Sequence, residues 1–88
     1  MFEDNRAYRY TFQSYAPGSA PWITSDCNEI AFWNRGTSNV IVGDVLILLP
    51  LDFVSLPGHK GEIDKTQYVY QFSGSGTNLL IVVRKTYI

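Results

Sequence analysis

The most hydrophobic part of the chain runs from Val40 to Gly58, and its composition favours strands over a helix. β-Branched residues recur along it, and Gly43, Pro50 and Pro57 divide it into pieces of strand length. Gly43 and Asp44 stand between two apolar runs, as in a two-residue hairpin turn or a bulge, and Pro50 is expected at a strand end or edge. We expect these strands to be buried on both faces or to lie along an interface.

Residues 7–15 alternate between aromatic and polar side chains, which is typical of an extended strand. Tyr8, Tyr10 and Phe12 fall on one face of it, and Arg9, Thr11 and Gln13 fall on the other. The pattern predicts one buried face and one solvated face.

Further strands are predicted at 29–34, 66–73 and 79–83, whereas 22–27 is expected to be an ordered loop or a short irregular strand. Together with the pieces of the Val40 to Gly58 segment, these make six or seven short strands separated by turn residues. The fold class is therefore all-β, with residues 1–88 forming one small antiparallel sandwich, jelly roll or barrel.

Two segments of the chain resemble each other. F-W-N-R-G-T-S-N-V-I-V at 32–42 aligns with F-S-G-S-G-T-N-L-L-I-V at 72–82. A duplicated half explains this match, and so do two hairpins of equal loop length. We favour the hairpins because few positions are shared.

The chain is rich in rings and poor in charge, with 45% hydrophobic, 15% aromatic and 17% charged residues. The few charged side chains cannot cover the whole exterior of an 88-residue domain. We therefore expect part of the apolar surface to contact a partner or another copy of the chain. The N-terminal third holds more rings than one thin core can absorb. The predicted interface residues are Phe2, Tyr8, Tyr10, Tyr15 and Trp22.

Charge and hydropathy disfavour two classes of partner. The net charge of -1 supplies no field to attract phosphate backbones, and the longest apolar run, Val45 to Leu51, is too short to span a bilayer. The N-terminus lacks the basic flank and apolar region of a secretory signal, so synthesis in the cytoplasm without export is expected. The single Cys27 cannot form an internal disulfide.

No motif indicates catalysis or a cofactor. Cys27 and His59 are too few for a zinc site, and they lie in no nucleophile signature. Glu62 and Asp64 form a weak calcium pattern, and Gly58 to Gly61 lacks the helix start of a phosphate-binding loop. We therefore predict a protein that is not an enzyme and has no catalytic residue, cofactor or metal.

A ligand-binding module is the alternative. Two segments interleave basic and aromatic side chains, as on a platform for single-stranded nucleic acid: Arg6, Tyr8, Arg9 and Tyr10, and then Arg84, Lys85 and Tyr87. Three other rings are candidates for a sugar platform: Tyr15, Trp22 and Trp33.

From Glu29 onward the chain resembles small all-β virion proteins of bacteriophages and related prophage products. Four segments carry the resemblance: F-W-N-R-G-T-S-N at 32–39, L-L-P at 48–50 leading to P-G at 57–58, E-I-D-K-T-Q-Y at 62–68, and N-L-L-I-V-V-R-K at 78–85. The resemblance implies a structural role in the virion, such as capsid decoration or a spike or vertex component, in many copies beside other virion proteins. It implies no catalytic residues.

Overall fold

In the computed structural model, which describes residues 7–59 and 61–87, the chain forms eight β-strands. The strands are β1 (Tyr8–Tyr15), β2 (Trp22–Thr24), β3 (Glu29–Asn34), β4 (Val40–Val42), β5 (Leu46–Leu48), β6 (Phe53–Leu56), β7 (Gln67–Phe72) and β8 (Leu80–Tyr87). The prediction of six or seven strands fell short, because residues 22–24 pair regularly with β7.

The strands form two antiparallel four-stranded sheets. Sheet I has the order β1-β8-β3-β6, and sheet II has the order β2-β7-β4-β5. Successive strands change sheet everywhere except at the β4–β5 hairpin, which is the strand order of a jelly roll. The predicted all-β antiparallel sandwich is confirmed, and of its alternatives the jelly roll describes the connections.

The core lies between the sheets, and the alternation of inward and outward side chains along the strands determines which residues form it. In sheet I, Ile30, Phe32, Leu80 and Val82 point inward, and neighbouring positions point outward. The ten residues of the main cluster are Tyr15, Ile23, Cys27, Ile30, Phe32, Val40, Val42, Leu48, Leu80 and Val82.

The β4–β5 hairpin confirms the turn expected at Gly43 and Asp44. Val42 pairs with Leu46, and both Gly43 (φ 63°) and Asp44 (φ 68°) adopt left-handed backbone conformations. Glycine and aspartate tolerate that region better than most residues. Pro50 follows β5 in a turn, as predicted for a strand end.

The Val40 to Gly58 segment is not buried on both faces within the chain. Every second side chain of its latter part faces solvent, including Ile47, Leu49 and Phe53. The prediction of two-sided burial was wrong within the described part of the chain, because β5 and β6 are edge strands of their sheets and none of the described residues covers their outer faces.

The two similar segments are not hairpins. Each runs from a strand of one sheet to a strand of the other, β3 to β4 and β7 to β8. Their loops pack together at matched positions, since the amide of Thr37 donates to the carbonyl of Thr77 at 2.6 Å and the amide of Thr77 donates to Oγ1 of Thr37 at 3.1 Å. The hairpin interpretation was therefore wrong.

Candidate functional site

The outer face of sheet I is the most unusual surface of the described chain. Strand register places an almost continuous set of rings and aliphatic side chains on it. We call this surface the aromatic face and define it by Tyr8, Tyr10, Phe12, Ala31, Trp33, Phe53, Ile81, Val83, Lys85 and Tyr87.

The aromatic face is open to solvent in the isolated chain. Tyr8, Tyr10, Phe12 and Phe53 are 45%, 49%, 70% and 58% exposed. The prediction of one buried and one solvated face on this strand was wrong for residues 8–14, which are exposed on both faces, because β1 is an edge strand and only its last residue, Tyr15, reaches the core. Scattered exposed rings are common, but a contiguous group of them marks an interaction surface.

The rings at the β1 and β8 end pack around one cation. Tyr8 lies 5.4 Å from Tyr10 and 6.0 Å from Tyr87 between ring centroids, in edge-to-face arrangements. Nζ of Lys85 lies 4.5 Å from the Tyr8 ring and 5.0 Å from the Tyr87 ring. A hydrogen bond with Tyr87 raises the pKa of Lys85, so the ammonium stays charged beside the rings.

A second group of rings lies at the β3 and β6 end. Trp33 and Phe53 meet edge to face at 6.5 Å, and the Arg35 guanidinium lies 4.4 Å from the Trp33 ring. A shallow depression of about 160 Å³ between the two groups is lined in part by Tyr10, Phe53 and Val83. The aromatic face therefore has relief as well as apolar character, which suits close packing against another surface.

The predicted interface residues fall in different places. Tyr8 and Tyr10 belong to the aromatic face, whereas Trp22 is on the outer face of sheet II beside Val69. Phe2 lies outside the described residues. Tyr15 is only 4% exposed and belongs to the core, so its ring is not on the surface of this chain.

Tyr15 is covered because the inward side of β1 reaches the core at its last residue. Its ring packs edge to face on Tyr70 at 5.4 Å, and Arg84 lies against its hydroxyl. Nε of Arg84 donates to the carbonyl oxygens of Thr24 and Ser25 at 3.0 and 3.1 Å. Arg84 therefore joins the two sheets, and its guanidinium is engaged within the fold.

Eight residues of the aromatic face were not among the predicted interface residues, and four of them have rings: Phe12, Trp33, Phe53 and Tyr87. Phe12 shares the alternation of Tyr8 and Tyr10, so the signal was present in the sequence. Trp33 alternates with the inward pair Ile30 and Phe32, which also indicates an outward position.

A second candidate site is an open cleft of about 580 Å³ at one end of the sandwich. Its apolar lining includes Ile30, Leu56, Ile63 and Tyr68, and its polar lining includes Asn28, His59, Glu62 and Asp64. Buried Asn28 shapes it by donating to the carbonyl oxygens of His59 and Glu62 at 2.8 and 2.6 Å. The cleft therefore brings His59, Glu62 and Asp64 together at one end of the fold.

The Asp64 carboxylate in this cleft is held in place by hydroxyl groups. Its Oδ1 accepts hydrogen bonds from the hydroxyl of Thr66 at 2.6 Å and the amide of Thr66 at 3.1 Å. The Thr66 hydroxyl is the main cause that holds the pKa of Asp64 below its usual range. Burial raises the pKa of neighbouring Tyr68. Asp64 is thus a hydrogen-bond acceptor that fixes the backbone of Thr66 just before β7.

Cys27 and His59 are not arranged as a catalytic nucleophile and its base. The Cys27 thiol is fully buried and donates to the carbonyl of Glu29 at 3.1 Å, while His59 lies on an exposed loop. Within residues 7–59 and 61–87, no three His, Cys, Asp or Glu side chains group closely enough to hold a metal ion.

The residues of the two ligand platforms are only partly brought together. Tyr8, Tyr10, Lys85 and Tyr87 share the aromatic face, but Arg84 points inward and Arg6 lies outside the described residues. The three candidate sugar-binding rings separate completely, with Tyr15 in the core, Trp22 on sheet II and Trp33 on sheet I.

Comparison with known proteins adds no relative: the chain matches no protein-family model, and no curated protein or solved structure is significantly similar to it. In the part of the chain that the structure describes, no helix has the length and hydropathy needed to cross a membrane.

Proposed function

We propose that this protein is a non-enzymatic structural module that self-associates by burying the aromatic face against neighbouring copies. The observation that carries the proposal is the outer face of sheet I, where each of the four strands carries at least one ring: those of β1 and β6 are exposed, and Tyr87 and Trp33 between them are partly exposed. Burial of one large apolar side chain contributes about 1.5 to 3 kcal/mol, so several rings supply a substantial driving force.

The contrast between the two sheets supports this choice of surface. On sheet II the outward side chains of β7 include Gln67 and Gln71, and β2 adds Thr24. These polar residues interrupt the apolar ones, as on an ordinary solvated face. The outer face of sheet I also carries polar residues, at Ser14, Glu29, Ser55 and Lys85, but its six rings outnumber them and sheet II has one outward ring, Trp22. Sheet I is therefore the better candidate for an interface.

The resemblance of residues 29–88 to small virion proteins supports placing the assembly in a phage particle, with other virion proteins as further partners. A jelly roll is compatible with this role, since capsid proteins use it, but lectins and enzymes use it as well. Mass spectrometry of purified particles from a producing strain tests this placement, and absence of the chain from intact particles contradicts it.

Sedimentation velocity over a concentration series tests the use of the aromatic face. Phe53→Lys places a charge on this face, and Ile47→Lys is a matched control because Phe53 and Ile47 are 58% and 60% exposed. Both residues lie on edge strands, and Ile47 lies on the outer face of sheet II. We expect the wild type and Ile47→Lys to associate alike and Phe53→Lys to form smaller species at the same concentration.

Two results contradict the proposal. One is a wild-type chain that stays at 10.0 kDa throughout the series. The other is association that Phe53→Lys leaves intact while Ile47→Lys abolishes it. Thermal unfolding of each variant confirms that the fold is retained.

A platform for binding a ligand is the second candidate function, and the group of Tyr8, Tyr10 and Tyr87 around Lys85 favours it. Three tyrosines around one ammonium resemble surfaces on which bases stack beside a cation. Titration of tyrosine fluorescence with short single-stranded oligonucleotides at low salt tests it. Saturable quenching that Tyr10→Ala removes supports the platform, and absence of quenching rejects it.

A further inference from the structure

The four edge strands of the sandwich differ in how well they are protected. β2, β5 and β6 have three, three and four residues, and Pro21, Pro50 and Pro57 each stand within two residues of one of them. Short strands and neighbouring prolines are devices that prevent one sheet edge from pairing with another.

β1 is not short, and its neighbouring Pro17 lies beyond the last residue of the strand, so it leaves the eight strand positions open to pairing. It has eight residues, it contains no proline, and among residues 7–59 and 61–87 it pairs on one side only, with β8. Seven of its eight residues are exposed, and Arg9 is its only charged residue. A long exposed edge of this kind presents unpaired amides and carbonyls to any extended strand that approaches it.

We propose that β1 pairs with β1 of a second copy, antiparallel and about a two-fold axis, so that sheet I continues as one eight-stranded sheet. The inference rests on the proposed function, because it names the contact through which copies first associate. An antiparallel edge is complementary to itself, since each strand offers the same alternation of donors and acceptors to its symmetry mate.

Symmetry limits the possible registers. Residues that face each other across an antiparallel pair point to the same side of the sheet, so the aromatic positions of one copy must face the same set in the other. Placing Thr11 on the axis sets Tyr10 opposite the partner's Phe12 and Arg9 opposite the partner's Gln13. This register forms two aromatic cross-strand pairs and keeps the two Arg9 cations apart, and cross-strand pairs of this kind each contribute roughly 0.2–1 kcal/mol.

The charge of β1 favours a second copy over a peptide of another protein. β1 carries one cation, Arg9, and no anion. A peptide of another protein can therefore form an ion pair with this strand only if it is acidic, and it can form only one. A second copy instead joins the two aromatic faces side by side across the axis.

Oxidative cross-linking of single-cysteine variants tests the pairing. In the proposed register Thr11→Cys faces its own symmetry mate at a Cα separation of about 4.5–5.5 Å, which lies within the range of a disulfide. Arg9→Cys is the matched control on the same strand and side, because its copies lie four residues apart, or about 13 Å. The native Cys27 is fully buried, and the wild type controls for it.

We expect Thr11→Cys to shift from the 10.0 kDa of one chain to about twice that mass on a non-reducing gel, while Arg9→Cys and the wild type do not shift. Equal cross-linking of both variants, or none in either, overturns the pairing. The outcome separates from that of the proposed function, because Phe53 is on the opposite edge of sheet I from β1. Loss of association in Phe53→Lys without cross-linking in Thr11→Cys retains the aromatic face and rejects the β1 edge.

Discussion

The backbone amide of Leu51 donates a hydrogen bond to the carbonyl of Asn34, 2.7 Å away, and so anchors an exposed leucine to a fully buried asparagine. Leu51 has a φ of 76° and follows Pro50 in a turn closed by a 2.9 Å bond from the amide of Asp52 to the carbonyl of Leu49. Proline and then a left-handed residue describe a type II turn, in which glycine normally takes the second position. The turn therefore holds Leu51 in a backbone conformation that a leucine disfavours.

Leu51→Gly is predicted to stabilise the fold, because it removes this backbone strain. A left-handed non-glycine residue costs roughly 1–2 kcal/mol. The greater backbone freedom of glycine in the unfolded chain offsets part of the stability gained by removing that cost. We expect a net gain of about 0.5–1 kcal/mol in the free energy of unfolding, measured by urea denaturation. Leu51→Ala is the control, since it keeps a Cβ and gains nothing. A less stable glycine variant contradicts this reading of the turn.

Gly58→Ala is predicted to be strongly destabilising. A Cβ at Gly58 would lie 1.7 Å from the carbonyl oxygen of Asn28, which is backbone and cannot rotate away. We expect a loss of roughly 2–4 kcal/mol in the free energy of unfolding. Gly61→Ala is the matched control in the same loop, because nothing lies within 4 Å of its added Cβ, and it is expected to change stability little. Equal stability of the two variants contradicts the close approach.

The stability of the fold is predicted to fall in acid as Asp64 takes up a proton. The pKa of Asp64 is lowered in the folded chain from its ordinary value of 3.8, so its contribution is fully present above that value and is lost as the pH falls through the lower folded pKa. Urea denaturation between pH 6 and pH 3 measures the loss. Thr66→Val removes the hydroxyl that lowers the pKa, and we expect a shallower decline in that variant than in the wild type. An unchanged decline contradicts the role of Thr66.

Strand positions and fold class were predictable from local pattern. Alternation located β1, β3 and β7, and Gly43 with Asp44 located the hairpin, because these signals depend on neighbouring residues only. The sequence of residues 22–24 was too short and irregular to predict as a strand, and its regular pairing with β7 became visible only in the fold.

The direction in which each face points was not predictable. Tyr8, Tyr10, Phe12 and Tyr15 have the same kind of side chain, yet only Tyr15 is buried, since burial depends on which part of β1 the second sheet covers. The end cleft likewise joins Asn28 to residues more than thirty positions away through contacts that no local pattern encodes.

The two tryptophans allow a direct test of the aromatic face, because Trp33 lies on it and Trp22 lies on the outer face of the other sheet. Trp22→Phe leaves Trp33 as the only reporter, and Trp33→Phe leaves Trp22. Acrylamide quenching of tryptophan fluorescence is measured in each variant from low to high protein concentration. Burial of the aromatic face predicts that quenching of Trp33 falls as the chains associate while quenching of Trp22 stays constant. Constant quenching of Trp33, or a fall confined to Trp22, contradicts it.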